Sequence, residues 1–332
     1  MTPPLHEQVV VITGASSGIG RETALKFAQS GAKVVLAARN RTALETVASQ
    51  IEATGGEATI VTVDVSNWQQ VKHLAEQAMN TYGRIDTWVN DAAASVYGTV
   101  EETPVEEFDQ IIHVNLLGTI YGVKAVLPHM RAQGGGTIIN IGSVLSERAV
   151  PLQAGYVATK FGVRGFTDAL RMELQREKSG IRVTLIMPAS INTPFFDHAR
   201  SNMETEPRPI PPVYHPEIVA DAILYASQHY VRQMYAGGAG LMFGLMERLS
   251  PALSDRMMQV MNWTFKAQKA NQPNDERDSL ERPMAGPGRV EGDFGHLTKP
   301  SMYTRYRITV PRWAQIALPA VALGAFQMLR RR

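Results

Sequence analysis

The sequence contains no cysteine. That excludes disulfides, thiolate metal sites and a cysteine nucleophile, and it agrees with a cytosolic location without requiring one. The eight histidines are scattered with no HxxxH or HExxH pair, so no metal site is expected. Neither sign of charge dominates: 33 Lys plus Arg stand against 31 Asp plus Glu, and three of the positive charges are the terminal Arg330, Arg331 and Arg332. Such a balance does not suit a nucleic-acid partner. The opening MTPPLHEQ is too short and too polar for a signal peptide, and the expected location is the cytoplasm.

What is present is a globular composition, 44% hydrophobic and 19% charged over 332 residues, enough for a sizeable core. From Gln8 to about Ser190, short β-branched runs (QVVVIT, KVVLAA, ATIVTVD, IDTWVN, GTIINIG, IRVTLIMP) alternate with segments of helical length, and QMYAGG adds a seventh strand. This alternation predicts an α/β fold: a doubly wound, mostly parallel, seven-stranded sheet with helices on both faces. Asn40, Ser66 and Pro216 are the expected starts of three helices. The reading divides the chain into a catalytic unit at 1–240 with a substrate loop at 189–213, a Met-rich helical extension at 241–270, a Pro- and Gly-rich linker at 271–310 and an apolar helix at 311–332.

TGASSGIG, Thr13 to Gly20, joins the first strand to the first helix. Gly14, Gly18 and Gly20 allow a tight turn and close backbone approach, and the helix N-terminus offers free N–H groups to a pyrophosphate. At the end of the second strand, where an acidic residue would mark a ribose 2′-hydroxyl, the chain has AARNR, with Arg39, Arg41 and the nearby Arg21. Arginine suits a 2′-phosphate, so NADP(H) is expected over NAD(H). Further on, YVATK places Tyr156 and Lys160 one helical turn apart on one face.

The TGxxxGIG turn and the YxxxK pair, in this order, resemble the short-chain dehydrogenase/reductase family, with the likeness running from about Gln8 to Gly238. The resemblance implies four reacting positions, Asn115, Ser143, Tyr156 and Lys160. Tyr156 would be the general acid/base, Lys160 would favour its phenolate and hold the nicotinamide ribose, Ser143 would polarise the substrate oxygen, and Asn115 would anchor a water. It also implies cofactor contacts from Gly14, Ser16, Ser17, Gly18, Ile19, Gly20, Arg39, Asp64, Val65, Asn90, Ala92, Pro188 and Thr193, besides Tyr156 and Lys160. The implied enzyme moves hydride between NADPH and a carbonyl or secondary alcohol. Ser146 is a rival to Ser143, and Asp64 and Thr193 have bland readings as a capping residue and a loop threonine. A catalytically idle NADP-binding sensor or scaffold is the alternative function.

Two departures stand out: NDAA, Asn90 to Ala93, replaces the family's NNAG, and Ala189 follows Pro188 where glycine is usual. Phe195, Phe196, Met203, Met242 and Phe243 predict a fairly apolar small-molecule substrate, and the family's habits leave a homo-oligomer open. The uncharged stretch Trp313–Leu329, bracketed by Arg312 and Arg330, reads either as a membrane anchor or as a helix packed on the protein. Its seventeen residues would span roughly 25 Å, short of a ~30 Å hydrocarbon core.

Overall fold

In the computed structural model the described residues are 3–250, 252, 255, 256, 268–274, 277–311 and 315. Trp313–Leu329 thus falls almost wholly outside them, as does most of the Met-rich extension beyond residue 250. All seven expected strands form: β1 (Val9–Thr13), β2 (Lys33–Ala38), β3 (Glu57–Thr62), β4 (Thr87–Asn90), β5 (Gly136–Ile141), β6 (Ile181–Pro188) and β7 (Gln233–Ala236). They pair in parallel in the order β7-β6-β5-β4-β1-β2-β3. The chain leaves β1 in one direction and β4 in the other, and the crevice outside the strand ends at that reversal is where open α/β sheets hold ligands.

The β-branched runs are buried because helices cover both faces. One face carries α1 (Gly18–Gln29), α2 (Arg41–Ala53) and α7 (Glu217–Gln228), whose Phe27, Leu44 and Ile223 pack with Val10, Ile12 and Leu36. The other carries α3 (Trp68–Tyr82), α4 (Val105–Ile112), α5 (Gly118–Ala132) and α6 (Ala154–Arg176), with Leu74, Ile111, Val126 and Leu170 against Val11, Val35 and Ile138. Asn40 starts α2 as expected, its Oδ1 accepting from the Ala43 N–H at 3.0 Å. For α3 the expected Ser66 is replaced by Asn67, whose Oδ1 takes the N–H groups of Gln69 and Gln70, because Ser66 is turned back onto Asp64.

Between α4 and α5 the helix widens into a π turn, His113–Leu117. The continuous helix Val105–Ala132 is, among the described residues, the one long and apolar enough to cross a membrane, and half of its most apolar window is buried in the fold. Beyond β7, α8 (Gly238–Leu249) lies beside the loop after β5, and α9 (Met302–Thr309) packs on α7. Residues 277–299, within the stretch expected to be a linker, cross the ligand-facing edge of the sheet and are fixed there by short strand pairings and main-chain bonds.

Gly20 shows how tightly the first turn is wound. A Cβ there would lie 2.4 Å from the Gly14 carbonyl oxygen and 2.7 Å from its carbon, both backbone atoms. Gly20→Ala is therefore expected to destabilise the protein by about 1–3 kcal/mol, the usual range for overpacking, read as a lower thermal midpoint. An unchanged midpoint would show that the turn can relax.

Candidate active site

At the sheet's ligand-facing edge lies a cavity of about 1160 Å³, walled by the β1–α1 turn, the ends of β2 to β6, and the segment 277–297. Of the reacting and cofactor-contact positions that the resemblance implies, Gly14, Ser16, Ser17, Gly18, Ile19, Arg39, Asp64, Val65, Ala92, Ser143, Tyr156, Lys160, Pro188 and Thr193 line it. Three do not. Gly20 lies under the Gly14 carbonyl; Asn90 is held in the sheet, accepting from Trp88 Nε1 at 2.8 Å and donating to Asn140 Oδ1 at 2.9 Å; and Asn115 sits behind the wall. Both amide hydrogens of Asn115 are committed, to the Ala94 carbonyl at 3.0 Å and Thr159 Oγ1 at 3.1 Å, while its Oδ1 accepts from the Ala94 N–H at 2.8 Å. The π turn is what aims this side chain at the strand-4 loop.

Tyr156 and Lys160, in the first turns of α6, are both buried. Ser143 neighbours the Tyr156 hydroxyl in the cavity wall, and the Tyr156 ring meets Phe195 edge-on at 5.5 Å. Ser143 Oγ also accepts from the Leu145 N–H at 3.0 Å. Its rival Ser146 is fully buried and accepts from the Ser143 N–H at 3.1 Å, so it braces Ser143 from behind the wall. Lys160 Nζ donates to the Ile141 carbonyl at 2.8 Å and lies 5.5 Å from the Tyr156 ring centroid.

The electrostatics differ from what the Tyr–Lys spacing suggested. Burial pushes the phenol of Tyr156 well up, the neighbouring Ser143 only partly opposing it, and the nearby Asp91 carboxylate raises it further. Burial also lowers Lys160 to about 8 against the pull of Asp91, and raises Asp91 to about 7 against the pull of Lys160 and a Gly20 N–H. The Lys160 ammonium thus stands between the Tyr156 ring, 5.5 Å away, and the buried Asp91 carboxyl. Asp91 was visible in the sequence as a charge at a departure from the family pattern, and its electrostatic influence on Lys160 could not be read from that.

Asp64 does not cap α3, a role Asn67 takes; its Oδ1 accepts from the Ser66 N–H and hydroxyl at 2.9 and 2.7 Å, and the residue lines the cavity. Arg41, expected beside Arg39, pairs instead with Glu45 at 2.8 Å on the exposed side of α2. In the apolar half, Phe195, Phe196 and Phe243 form wall, whereas Met203 is buried with Tyr97, Leu152 and Ala199, and Met242 is exposed. Tyr97, fully buried, and His198, which burial and the charges of Arg289 and Arg39 lower to about 4, are wall residues the sequence reading missed; neither sits in a motif.

The family model for short chain dehydrogenases matches residues 8–204. The chain belongs to the short-chain dehydrogenase family. An uncharacterized oxidoreductase of Bacillus subtilis (strain 168), YxnA, is 38% identical over 305 residues, covering 91% of this chain and 85% of its own length. One from Staphylococcus saprophyticus is 37% identical over 69% of this chain and 92% of its own. Among solved structures, a short chain dehydrogenase/reductase from Burkholderia phymatum in complex with NAD superposes with TM-score 0.68 at 26% identity, over 74% of this chain and 94% of that one. An alcohol dehydrogenase from the archaeon Thermococcus sibiricus, complexed with 5-hydroxy-NADP, gives TM-score 0.60 at 29% identity, over 69% and 95%. This short-chain dehydrogenase is therefore an oxidoreductase that carries a C-terminal segment beyond the shorter relatives' length. The Bacillus alignment is too long to end within the catalytic fold, so it includes part of that segment.

Proposed function

We propose that the chain is an NADP(H)-dependent oxidoreductase that interconverts a carbonyl and a secondary alcohol on a fairly apolar small molecule, with Tyr156 as general acid/base. One observation carries this: Tyr156, Ser143 and Lys160, one helical turn after Tyr156, line the same cavity as the glycine turn. The residues present fit a dinucleotide, because the cavity runs from Arg39 and Asp64 past the glycine turn and the N-terminus of α1 to Tyr156. A bound reduced nicotinamide would supply hydride to the carbonyl carbon. Ser143 would hold and polarise the carbonyl oxygen, and Tyr156 would give that oxygen its proton. Lys160, fixed by the Ile141 carbonyl, would place positive charge beside the phenol as it loses that proton. The test is a panel of aldehydes and ketones with NADPH, followed at the nicotinamide absorbance; no turnover on any of them would favour the idle cofactor-binding alternative.

NADPH is the proposed preference, carried by Arg39 at the cavity wall and by the absence of an acidic residue there. Arg39→Asp should remove a charge-assisted contact worth about 1.5–3 kcal/mol and reduce the Kd ratio between NADH and NADPH by roughly tenfold or more. Equal Kd values in the parent would overturn the preference. For Trp313–Leu329 we keep the membrane-anchor reading, supported by its uncharged length and flanking arginines. Cells expressing the chain with and without residues 311–332 should differ on fractionation, the full chain sedimenting with membranes; a full chain that stays soluble without detergent would remove the anchor.

A further inference from the structure

Residues 277–297 form a strap across the cavity. Its ends are fixed: the Ser279 N–H donates to the His198 carbonyl at 2.9 Å, the Phe294 N–H to Asn192 Oδ1 at 3.0 Å, and Thr298–Lys299 pairs in parallel with Val213–Tyr214. Between those ends the strap turns its own carbonyls toward the cradle. Arg39 donates to the carbonyls of Ser279, Leu280 and Glu281, the last two at 3.2 and 3.1 Å. Arg21 Nη1 donates to the Pro287 carbonyl at 2.8 Å, and the Gly18 N–H, at the N-terminus of α1, donates to the Arg289 carbonyl at 2.9 Å.

These donors are the ones that a dinucleotide's phosphates would use: a guanidinium beside the second strand and an amide at the helix start. The strap lies close enough to reach them because two of its residues lack a side chain. A Cβ on Gly288, at φ +67°, would stand 2.3 Å from the Ser16 carbonyl oxygen, and one on Gly292 would stand 2.5 Å from that of Thr193.

We propose that the strap is a cofactor-specificity gate: its carbonyls hold Arg39 and Gly18 in the cofactor-free chain, and the phosphates of NADP(H) displace them. The proposal rests on the dinucleotide reading above. A neutral carbonyl is the weaker acceptor for a guanidinium, and a phosphate oxygen makes a bond roughly twice as strong. Both cofactors must take Gly18 from the strap, but only one with a 2′-phosphate gives Arg39 a replacement for the carbonyls it loses. The gate therefore lowers the apparent affinity for either cofactor by the fraction of molecules whose strap is open, and it handicaps NADH further.

The test uses the full-length protein. Hydrogen exchange over residues 277–297 is followed without cofactor, with NADPH and with NADH, and Kd and association rates are measured for the parent and Gly288→Val. The expected result is faster exchange of the strap when NADPH is bound, a smaller change with NADH, and NADPH binding about tenfold tighter with faster association in Gly288→Val, as for a binding-competent state raised from about a tenth of the population. Slower exchange of the strap with NADPH would mean that it closes over the cofactor, and overturns the proposal. So does an unchanged Kd in a folded Gly288→Val protein; if that variant does not fold, exchange in the parent decides. Failure of parent and variant to bind either cofactor would overturn the dinucleotide reading and the gate with it, whereas binding that leaves strap exchange unchanged overturns the gate alone.

Discussion

Tyr156→Phe is expected to lower kcat by about 10²- to 10⁴-fold on any carbonyl the parent reduces, the range associated with a general acid or base. The substitution removes one hydroxyl and little else. The ring keeps its edge-on contact with Phe195 and its place among the buried apolar residues of its face. Ser143 is not stranded, since its Oγ still accepts from the Leu145 N–H at 3.0 Å. Thermal midpoint and NADPH Kd should therefore stay near parental values, and their constancy makes the loss of turnover a statement about chemistry. Burial holds the phenol of Tyr156 protonated across neutral pH, which is the form that carbonyl reduction needs. A Phe variant with parental kcat would remove Tyr156 from the reaction.

The sheet was legible in the sequence because most of its strands are apolar β-branched runs of strand length, the signature of parallel strands buried between helices. The YxxxK pair was legible for a similarly local reason: four residues of helix fix its geometry whatever surrounds it. Electrostatics around the pair was not. Whether Lys160 acts on Tyr156 or on Asp91 depends on where the strand-4 loop lies relative to α6, and no spacing in the chain reports that. Asn90, named through the family resemblance, has its side-chain bonds inside the sheet, to Trp88 and Asn140, and no spacing in the chain reports those partners.

The strap was the least legible element. Pro- and Gly-rich sequence without periodicity reads as linker, and the contacts that fix this segment join residues some 240 positions apart. Those to Arg39 are made by the strap's carbonyl groups, which every residue carries, so no side-chain type in the strap marks them. Its two closest approaches need glycine, and those glycines look like ordinary turn residues until the opposing Ser16 and Thr193 carbonyls are in place.

Lys160→Ala should abolish most turnover and also destabilise the fold, and pH separates the two effects. Removing the ammonium leaves the Ile141 carbonyl without its donor and the buried Asp91 without a counter-charge. Leaving the buried carboxylate without its nearby cation should lower stability, by less than the ~3–5 kcal/mol typical of breaking a direct buried ion pair. That loss should appear at alkaline pH, where Asp91 is ionised, and shrink as pH falls, with Asp91 taking its proton above its parental value of about 7 because the ammonium that lowered it is gone. The parent has the complementary limit: burial lowers Lys160 to about 8, so its own kcat/KM for carbonyl reduction should fall as pH rises through that value and the ammonium is lost. Adding Asp91→Ala to the Lys160 variant removes the isolated carboxylate, and urea denaturation at pH 8 should show most of the stability restored. Turnover should remain low in this double variant, because the charge beside the phenol is still missing. Recovery of kcat together with stability would instead make Lys160 a structural counter-ion to Asp91 and take it out of the proton transfer.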